Sequence, residues 1–384
     1  MGKVRLLLCA ALAALLLAGC TDDSSVPKSS SLGTPVSSNA PEPPSTSGPD
    51  DPAQVTPADG VTLVYSMSES EIANRLKDSA GRLSRPLAFL SEDRMLLAFS
   101  PSEGGVNWYL FDLDAEEMVL LARFPDQNPE ISEAWEEGEQ IRVMSDCGEL
   151  TFDPTGEPVE MMPGQSDWSQ RISPVLGDSF SLRGGQLIHT ETDGSETALY
   201  TFEEREALGP IAISPDGTRL AFGVIQYEIM VKQIVVADLS AGRTSVIPVE
   251  AAAPWLCWIG DAPCLIEQCE EGELIIRYGI ELAEVFRWQA PDPMNWMVGV
   301  EPNGKGQAVL TLEYLTEEGV WHREASLLAG GADGIEQRPL LSTDDGRIGA
   351  FALSQDARHL ALIARNQEGG AAQLLVYVLE DEME

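Results

Sequence analysis

The feature that most restricts the fold of this chain is a short segment that occurs three times. Leu90 to Phe99 (LSEDRMLLAF), Ile213 to Phe222 (ISPDGTRLAF) and Leu353 to Ile363 (LSQDARHLALI) each place a turn built on Ser-x-Asp before an apolar run. Proline presets φ at the second position of such a turn and glycine accepts positive φ at the fourth, so the segment suits a β-hairpin. The turn serines Ser91, Ser214 and Ser354 lie roughly 120 to 140 residues apart, about three times a period in the forties.

A period of this length predicts two weaker copies in each gap. They are found at Trp135-Glu136-Glu137-Gly138, near Gly177-Asp178, at Ile259-Gly260-Asp261-Ala262 and at Glu301-Pro302-Asn303-Gly304. Seven registers result, beginning near residues 91, 135, 176, 214, 259, 301 and 354. Further β-type runs separated by turns follow them, and helical periodicity is almost absent. We therefore expect an all-β chain folded as a seven-bladed β-propeller of four-stranded blades. The roughly 320 residues after residue 60 would allow two domains by length, but the repetition predicts one.

The turn sequence resembles the repeat of the TolB-like β-propellers, which are related in shape to WD repeats. Ile213 to Gly217 (ISPDG) and Leu220 to Phe222 match the repeat fully, and the other six copies match it partly. The resemblance covers roughly residues 88 to 380. It implies an architecture and not an activity, and the TolB partner interactions are not implied because no sizeable α/β domain precedes the repeats.

The end of the chain predicts how the ring closes. The last blade stops after the strand Gln373 to Leu379, which is its third, and three strands would leave an open edge. Val61 to Ser66 (VTLVYS) alternates apolar and polar residues and can supply the fourth strand, with Val64 on its buried face. Immediately after it, Ser68 and Glu71 form a possible capping box for a helix over Ser68 to Lys77.

The first sixty residues predict where the protein is located. Lys3 and Arg5 precede an apolar run from Leu6 to Leu17, which is too short to span a bilayer and is typical of a signal peptide. Leu17-Ala18-Gly19-Cys20 resembles the lipobox of bacterial lipoproteins, which implies lipidation of Cys20 after cleavage; an ordinary secretory signal is the alternative. Residues 21–60 are rich in Ser, Pro and Thr and predict a disordered tether. The domains are thus 1–20 signal, 21–60 tether and 61–384 propeller, attached by lipid to the extracytoplasmic face of the cell membrane.

Charge excludes one class of partner. The chain has a formal net charge of −38, and loss of the signal's two cations makes the mature part more negative still. Such a chain repels nucleic acid and anionic polymers, so we expect no nucleic-acid binding. No calcium-loop pattern appears, and we expect no metal, no cofactor and a monomer.

Catalytic patterns are weak. The three histidines, His189, His322 and His359, form no metal pair, no nucleophile elbow or phosphate loop is present, and His359 is expected to face solvent. No catalytic residue is therefore assigned. Paired carboxylates remain open, because their abundance makes any chosen pair uninformative.

Cysteines and tryptophans give the remaining candidates. If Gly260-Asp261 is a two-residue turn, Cys257 faces Cys264, and a disulfide between them is one reading while free buried thiols are the other. The spacing of Cys257, Cys264 and Cys269 is not that of a zinc site, and the redox state of Cys147 and Cys269 stays open. Five tryptophans fall at or just before the first strand of a blade and are candidate ligand-binding aromatics at the channel mouth, with packing between blades as the alternative: Trp135, Trp168, Trp255, Trp258 and Trp296.

Two functions are compatible with these features. The first is a membrane-tethered module that binds a protein, peptide or glycan partner, and it is favoured because no catalytic pattern stands out. The second is a propeller-type carbohydrate-active enzyme, a lyase or glycosidase, with carboxylates at the channel mouth. Fold alone does not decide between them.

Overall fold

A computed structural model describes most of the chain beyond residue 53. The described residues are 54–125, 129, 131–145, 148–160, 171–172, 179–226, 230–269, 271–331, 334–344, 346–366 and 372–380. Cys20, Cys147 and Trp168 lie outside them. No helix among these residues has the length and apolar character needed to cross a membrane.

The chain enters the fold through three short elements and then builds seven sheets. The first elements are β1 Thr56–Pro57, β2 Val61–Ser68 and the helix α1 Glu69–Arg75. Blades 1 to 3 and the short strand β10 follow as β3 Arg82–Phe89, β4 Arg94–Ser100, β5 Val106–Asp112, β6 Glu117–Phe124, β7 Ile131–Glu137, β8 Gln140–Ser145, β9 Gly148–Phe152, β10 Val159–Glu160, β11 Arg171–Ile172, β12 Ser179–Arg183, β13 Gln186–Thr190 and β14 Glu196–Thr201. Blades 4 and 5 are β15 Glu206–Ile213, β16 Arg219–Gln226, β17 Met230–Asp238, β18 Arg243–Ala252, β19 Trp255–Ile259, β20 Ala262–Gln268, β21 Glu273–Tyr278 and β22 Ala283–Gln289. Blades 6 and 7 are β23 Trp296–Pro302, β24 Gln307–Leu315, β25 Trp321–Gly331, β26 Gly334–Thr343, β27 Gly346–Leu353, β28 His359–Asn366 and β29 Gln373–Leu379.

The seven sheets are the blades of a β-propeller, as the repeat predicts. Within each blade the strands are antiparallel neighbours in chain order, and blade 7 has the order β2-β29-β28-β27. Blade 2 shows the three strands β7 to β9 in the described part of the chain, while β10 pairs in parallel with β6 of blade 1. The expected fold class and the number of blades are confirmed.

The Ser-x-Asp turns close their hairpins with one repeated hydrogen-bond pattern. Ser214 Oγ donates to Asp216 Oδ1 at 2.5 Å and accepts from the Arg219 amide at 2.9 Å. Ser354 Oγ makes the same two bonds, to Asp356 Oδ1 at 2.6 Å and from the His359 amide at 2.9 Å. In each turn the serine Oγ thus accepts a hydrogen bond from a partly buried backbone amide that has no backbone acceptor in the tight turn. This explains why serine opens these turns.

Positive φ in these turns falls on the fourth residue. Gly217 has a φ of 71°, and Ala357 takes the same position in blade 7 with a φ of 57°. The SPDG form of the turn is therefore the unstrained one, and the alanine variant adopts the same backbone at some conformational cost.

Pairing of β2 with β29 closes the ring in the predicted way. Val61 pairs with Leu379 and Ser68 with Gln373, so β2 is the outer strand of the last blade. The expected burial of Val64 is wrong. A bulge between Leu63 and Tyr65 leaves Val64 out of the ladder and 54% exposed, and Val61 and Met67 are the buried side chains. A bulge inserts one residue and breaks the period of two on which that expectation depended.

The residues that contact the propeller begin before residue 60, where the tether was expected to end. Thr56 and Pro57 pair with Ser342 and Leu341 on the outer edge of β26, and the Ala58 amide donates to Leu340 O at 2.8 Å. Arg338 Nη2 also donates to Gly60 O at 3.0 Å. Residues 54–60 therefore lie on blade 6, although their composition is that of a tether.

The helix forms at the predicted capping box. Ser68 Oγ accepts from the Glu71 amide at 3.2 Å, and Glu71 Oε2 accepts from the Ser68 amide at 2.8 Å. Glu69 in its first turn is buried and accepts from the Leu83 amide at 2.8 Å. The helix thus connects β2 of blade 7 to the first strand of blade 1.

The hydrophobic core lies between neighbouring blades. One cluster joins Val309 and Leu327 of blade 6 to Leu360 and Leu362 of blade 7. In blade 4 both faces of the central strand β16 contribute to such clusters, and the strand carries the continuous apolar run Leu220 to Ile225 (LAFGVI).

Candidate functional site

The blades define two faces of the ring. The first hairpin turns of blades 5, 6 and 7 lie together, because the Gly260 amide donates to Gly306 O at 2.7 Å and Asn303 Nδ2 donates to Ser354 O at 3.1 Å. We call this the turn face. At the opposite side, the start face, the first strands begin, and Arg365 Nη2 at the end of β28 donates to Leu83 O near the start of β3 at 2.7 Å.

The candidate tryptophans do not share one face. Trp255 and Trp296 are the first residues of β19 and β23 and lie at the start face. Trp258 pairs with Pro263 beside the Gly260-Asp261 turn, and Trp135 pairs with Arg142 close to the turn at residue 138, so both lie toward the turn face. In the sequence all four tryptophans lie within or next to a first strand. Only the position along the strand shows that one pair lies at its beginning, on the start face, and the other near its end, toward the turn face.

Trp258 packs between two blades. Its side chain is 4% exposed, its Nε1 donates to Ala212 O of blade 4 at 3.0 Å, and the Arg219 guanidinium lies over its ring at 4.8 Å. A buried tryptophan whose single donor is satisfied by the neighbouring blade stabilises the blade contact.

An aromatic row lies at the start face between blades 5 and 6. Ring centroids are 5.6 Å apart for Trp288 and Trp296, 5.3 Å for Trp288 and Tyr314, and 5.2 Å for Tyr314 and His322. His322 Nδ1 lies 2.6 Å from Asp344 Oδ1. Burial raises the pKa of the Tyr314 hydroxyl, with Glu324 and Asp344 adding to the effect, so this tyrosine stays protonated and can donate a hydrogen bond.

A cavity lies on the other side of blade 6, against blade 7, and also opens at the start face. Its volume is about 180 Å³. Its lining includes Met297, Gly299, Thr311, Glu313, Arg323 and Glu324 of blade 6 and Ile348 of blade 7. The register of the strands brings these side chains together. Met297 pairs with Glu313, Gly299 pairs with Thr311, and Glu313 pairs with Arg323 in the neighbouring strand.

A buried ion pair forms one wall of this cavity. Arg323 is 4% exposed, and its Nη2 donates to Glu313 Oε1 at 2.7 Å. Its Nη1 donates to Gly346 O at the start of blade 7. Arg323 Nε is buried, and none of the described residues accepts a hydrogen bond from it. Buried polar atoms are paired in the great majority of cases, so this donor is an exception within the part of the chain that the structure describes.

Sequence reasoning missed Arg323 and Glu313, although a signal for the arginine exists. In WHREASLLA, Arg323 has the same strand parity as Ala325 and Leu327, which are buried. A charged residue on the core side of a strand needs a partner, so the period of two predicts a buried ion pair there. The identity of Glu313 as the partner depends on the register between β24 and β25.

His359 is also placed differently from the expectation. It is half-buried, and its ring centroid lies 6.0 Å from that of Phe89 in blade 1. The neighbouring blade covers the position, which strand alternation within blade 7 alone does not reveal.

Cys257 and Cys264 face each other as the turn predicts. They are directly paired in the hairpin, and Gly260 has a φ of 58° at the first turn position, which is typical of a type II′ turn. Both are buried thiols in the structure, and the hydrogen bond with Cys257 and burial raise the pKa of Cys264 well above its usual value. Opposed residues in an antiparallel pair lie about 4.5 to 5.5 Å apart, which is within the range that a disulfide spans.

The disulfide between these cysteines remains a prediction. In exported protein, non-reducing peptide mapping should join the peptides of Cys257 and Cys264 and leave Cys269 alkylated as a free thiol. Burial raises the pKa of Cys269 to about 11, so it forms little thiolate for exchange. Cys264→Ser serves as the control and should return Cys257 to the alkylated pool. Full alkylation of both residues in the unreduced exported protein would contradict the prediction.

Among the described residues, no group of three or more His, Cys, Asp or Glu side chains is arranged to hold a metal ion. The lipidation site Cys20 and the candidate aromatic Trp168 remain predictions, because they lie outside the described residues.

Comparisons with known proteins found similar solved structures of low sequence identity. No family model matches the sequence, and no curated protein matches it. A chain of the crystal structure of the mitotic checkpoint complex is 15% identical, with 93% of this chain and 99% of that chain covered and a TM-score of 0.45. Oligogalacturonate lyase in complex with manganese is 11% identical, with 86% and 97% covered and a TM-score of 0.37. The Dos1 propeller is 10% identical, with 87% and 96% covered and a TM-score of 0.43.

The sheet topology and the site define the class of this protein as a seven-bladed β-propeller with an aromatic row and an ion-paired cavity at the start face of blade 6. The TolB-like character of its repeats stays a prediction from the turn sequences.

Proposed function

We propose that this chain is a lipid-anchored, extracytoplasmic propeller that binds a protein, peptide or glycan partner through the start face of blade 6. The observation that carries the proposal is the cavity of about 180 Å³ at Arg323, which opens at the start face. Binding sites in proteins are concave, largely apolar and furnished with a few polar groups, and this cavity has that character.

Exposed apolar side chains around the site support the same face. Met297, which lines the mouth of the cavity, is 55% exposed, and Met294, in the loop between β22 and β23, is 79% exposed. Methionine adapts its shape to a partner, and exposed methionine beside aromatic residues is typical of binding surfaces.

The anchor is tested by substitution of Cys20. Cys20→Ala should release the protein from membranes or block its processing, because the thiol is the acceptor of the lipid. Cys9→Ala, inside the apolar run of the signal, is the matched control and should leave membrane fractionation unchanged. A Cys20→Ala protein that is cleaved normally and stays with the membrane would overturn the anchoring.

The binding face is tested with the soluble form, residues 21–384, immobilised against extracts of the cell envelope. A partner retained by the native chain should be lost with Met297→Glu and retained with Trp135→Ala, which changes the turn face. If the partner is lost with Trp135→Ala and retained with Met297→Glu, the partner binds at the turn face and the proposed binding face is wrong. If the chain shortens a glycan in the same extract, the binding proposal is wrong and the chain is a carbohydrate-active enzyme.

A further inference from the structure

We propose that the start face of blade 6 binds a peptide segment of a partner that carries both basic and apolar side chains. The inference rests on the proposed binding function and names the chemical class of the partner at that face. It is carried by exposed apolar side chains on two neighbouring loops, by the carboxylates beside them and by the pairing of the cations within the fold.

Two loops lie side by side at the start face. The first is residues 290–295, between β22 and β23, and the second is residues 316–320, between β24 and β25. The Leu315 amide donates to Asn295 O at 3.0 Å, and the Thr316 amide donates to Val320 O at 2.8 Å. Because these hydrogen bonds join the ends of the two loops, we call them the paired loops.

The paired loops expose apolar side chains to solvent. Met294 in the first loop has the largest exposed fraction among the large hydrophobic side chains of the described residues, and Val320 in the second loop is 42% exposed. Met297, two residues into β23, is exposed at the same end of the blade. Apolar side chains that lie together on a surface mark a place for a partner, and methionine adapts its shape to the side chains that it meets.

Carboxylates lie beside these apolar side chains. Glu317 and Glu318 are exposed in the second of the paired loops. Glu324 and Asp344 lie on either side of His322, with Glu324 Oε2 at 3.7 Å from Nε2 and Asp344 Oδ1 at 2.6 Å from Nδ1. The exposed surface at this end of blade 6 therefore combines apolar groups with negative charge.

The aromatic row adds ring faces to the same surface. Trp288 and Tyr314 are half-buried in it. Burial raises the pKa of the Tyr314 hydroxyl, and Glu324 and Asp344 raise it further, so the negative potential of these carboxylates acts at the row. Arginine and lysine side chains bind over aromatic faces. A basic side chain thus meets rings and carboxylates within one surface.

The cations on this side of blades 5 and 6 are paired within the fold. Over residues 290–297 and 313–324, Arg323 is the one lysine or arginine, and it is buried with its Nη2 donating to Glu313. In blade 5, Arg287 donates to Glu273 at 2.6 Å and to Glu284 at 2.8 Å. The carboxylates of the paired loops therefore keep their negative charge toward a partner.

The same charges disfavour other occupants. A second copy of this chain carries the same surface and a net charge of −38, so two copies repel each other. A neutral glycan gains nothing from this field, whereas a basic segment is attracted by it and a leucine or phenylalanine beside the basic residue covers the exposed methionines. The chain's own residues 21–53 are acidic and are repelled as well, since they carry one lysine, Lys28, against Asp22, Asp23, Glu42, Asp50 and Asp51.

The test titrates short synthetic peptides of lysine and leucine into the soluble chain, residues 21–384, and follows binding by fluorescence anisotropy. Three matched peptides replace every lysine by glutamate, every lysine by glutamine or every leucine by serine. We expect the lysine-leucine peptide to bind at least about tenfold more tightly than each of them, because charge and apolar contact both contribute. Raising the salt from about 20 mM to about 150 mM should weaken this binding, since salt screens the exposed carboxylates.

Variants assign the binding to the paired loops. Glu317→Lys combined with Glu318→Lys should weaken the lysine-leucine peptide at least about fivefold at about 150 mM salt, where distant charges are screened. Met294→Ser should weaken it at least about threefold, because the partner loses an apolar contact. All three residues are exposed, so the melting temperature of each variant should equal that of the native chain.

Matched controls lie on the turn face of blade 5. Asp261→Lys combined with Glu281→Lys makes the same change in net charge at two exposed residues, and Ile280→Ser removes an apolar side chain that is 61% exposed. These controls should leave the affinity for the lysine-leucine peptide unchanged. Equal weakening by the controls would reduce the effect to net charge and overturn the site.

The remaining outcomes separate this inference from the function on which it rests. Peptide binding that the paired-loop variants leave unchanged would overturn the surface, and a glucosamine oligomer that binds these loops more tightly would overturn the peptide as occupant. If the lysine-leucine peptide does not bind at about 1 mM while an envelope partner is still lost with Met297→Glu, the inference fails and the binding face stands. If the peptide binds at the paired loops but the chain retains no envelope partner, the proposed function fails and the inference stands.

Discussion

Removal of β2 is expected to leave an unstable or aggregating protein. Without β2, the strand β29 becomes an open edge, and the buried side chains of Val61 and Met67 are lost. Burial of each such side chain contributes about 1.5 to 3 kcal/mol, and the ladder of β2 is lost as well. A domain has a net stability of about 5 to 15 kcal/mol, so the deletion removes a large share of it.

A series of soluble chains with different starting residues measures this effect. A chain that begins at residue 54 keeps every contact of the described fold and should melt at the same temperature as the chain that begins at residue 21. A start at residue 61 removes β1 and the Gly60 oxygen that accepts from Arg338, and should lower the melting temperature by a few degrees. A start at residue 69 should unfold or aggregate at ambient temperature. If all four chains melt together and remain monomeric in size-exclusion chromatography, the closure described here is wrong.

Substitution of Arg323 is expected to be the most destabilising single change at the start face. Arg323→Met leaves Glu313 as an unpaired carboxylate beside blade 7 and removes the donor to Gly346 O. Breaking a buried ion pair from one side costs about 3 to 5 kcal/mol, because the remaining charge is left desolvated. Urea denaturation of the soluble chain should show this as a large fall of the midpoint with an unchanged slope.

Two controls separate the loss of the pair from the loss of the side chain. Arg323→Met combined with Glu313→Leu should recover most of the stability, since apolar replacement of both partners is often neutral. The same change at an exposed pair, Arg183→Met opposite Glu196, should cost no more than about 1 kcal/mol. A double variant as unstable as Arg323→Met alone would show that the arginine stabilises blade 7 by its contact with Gly346 and not by pairing with Glu313.

The architecture follows from the sequence because the turns are local. Ser214 and Asp216, or Ser354 and Asp356, make their hydrogen bonds within six residues, so the hairpin is encoded where it forms. Seven such registers and the missing fourth strand of the last blade together predict the ring and its closure by β2. The capping box of α1 is local in the same sense and was predictable from Ser68 and Glu71.

The site follows only from the tertiary structure, because it is made by neighbours that are distant in the chain. Arg323 meets Gly346 across two blades, Trp288 meets Tyr314 across a blade boundary, and Gln54 O accepts from Thr343 Oγ1 at 2.7 Å over 289 positions. Strand direction divides the candidate tryptophans between two faces, and one bulged residue reverses the exposure of Val64. Local turn chemistry thus determines what each blade is, whereas the packing of blades against one another decides which polar groups are buried and which residues meet at the site.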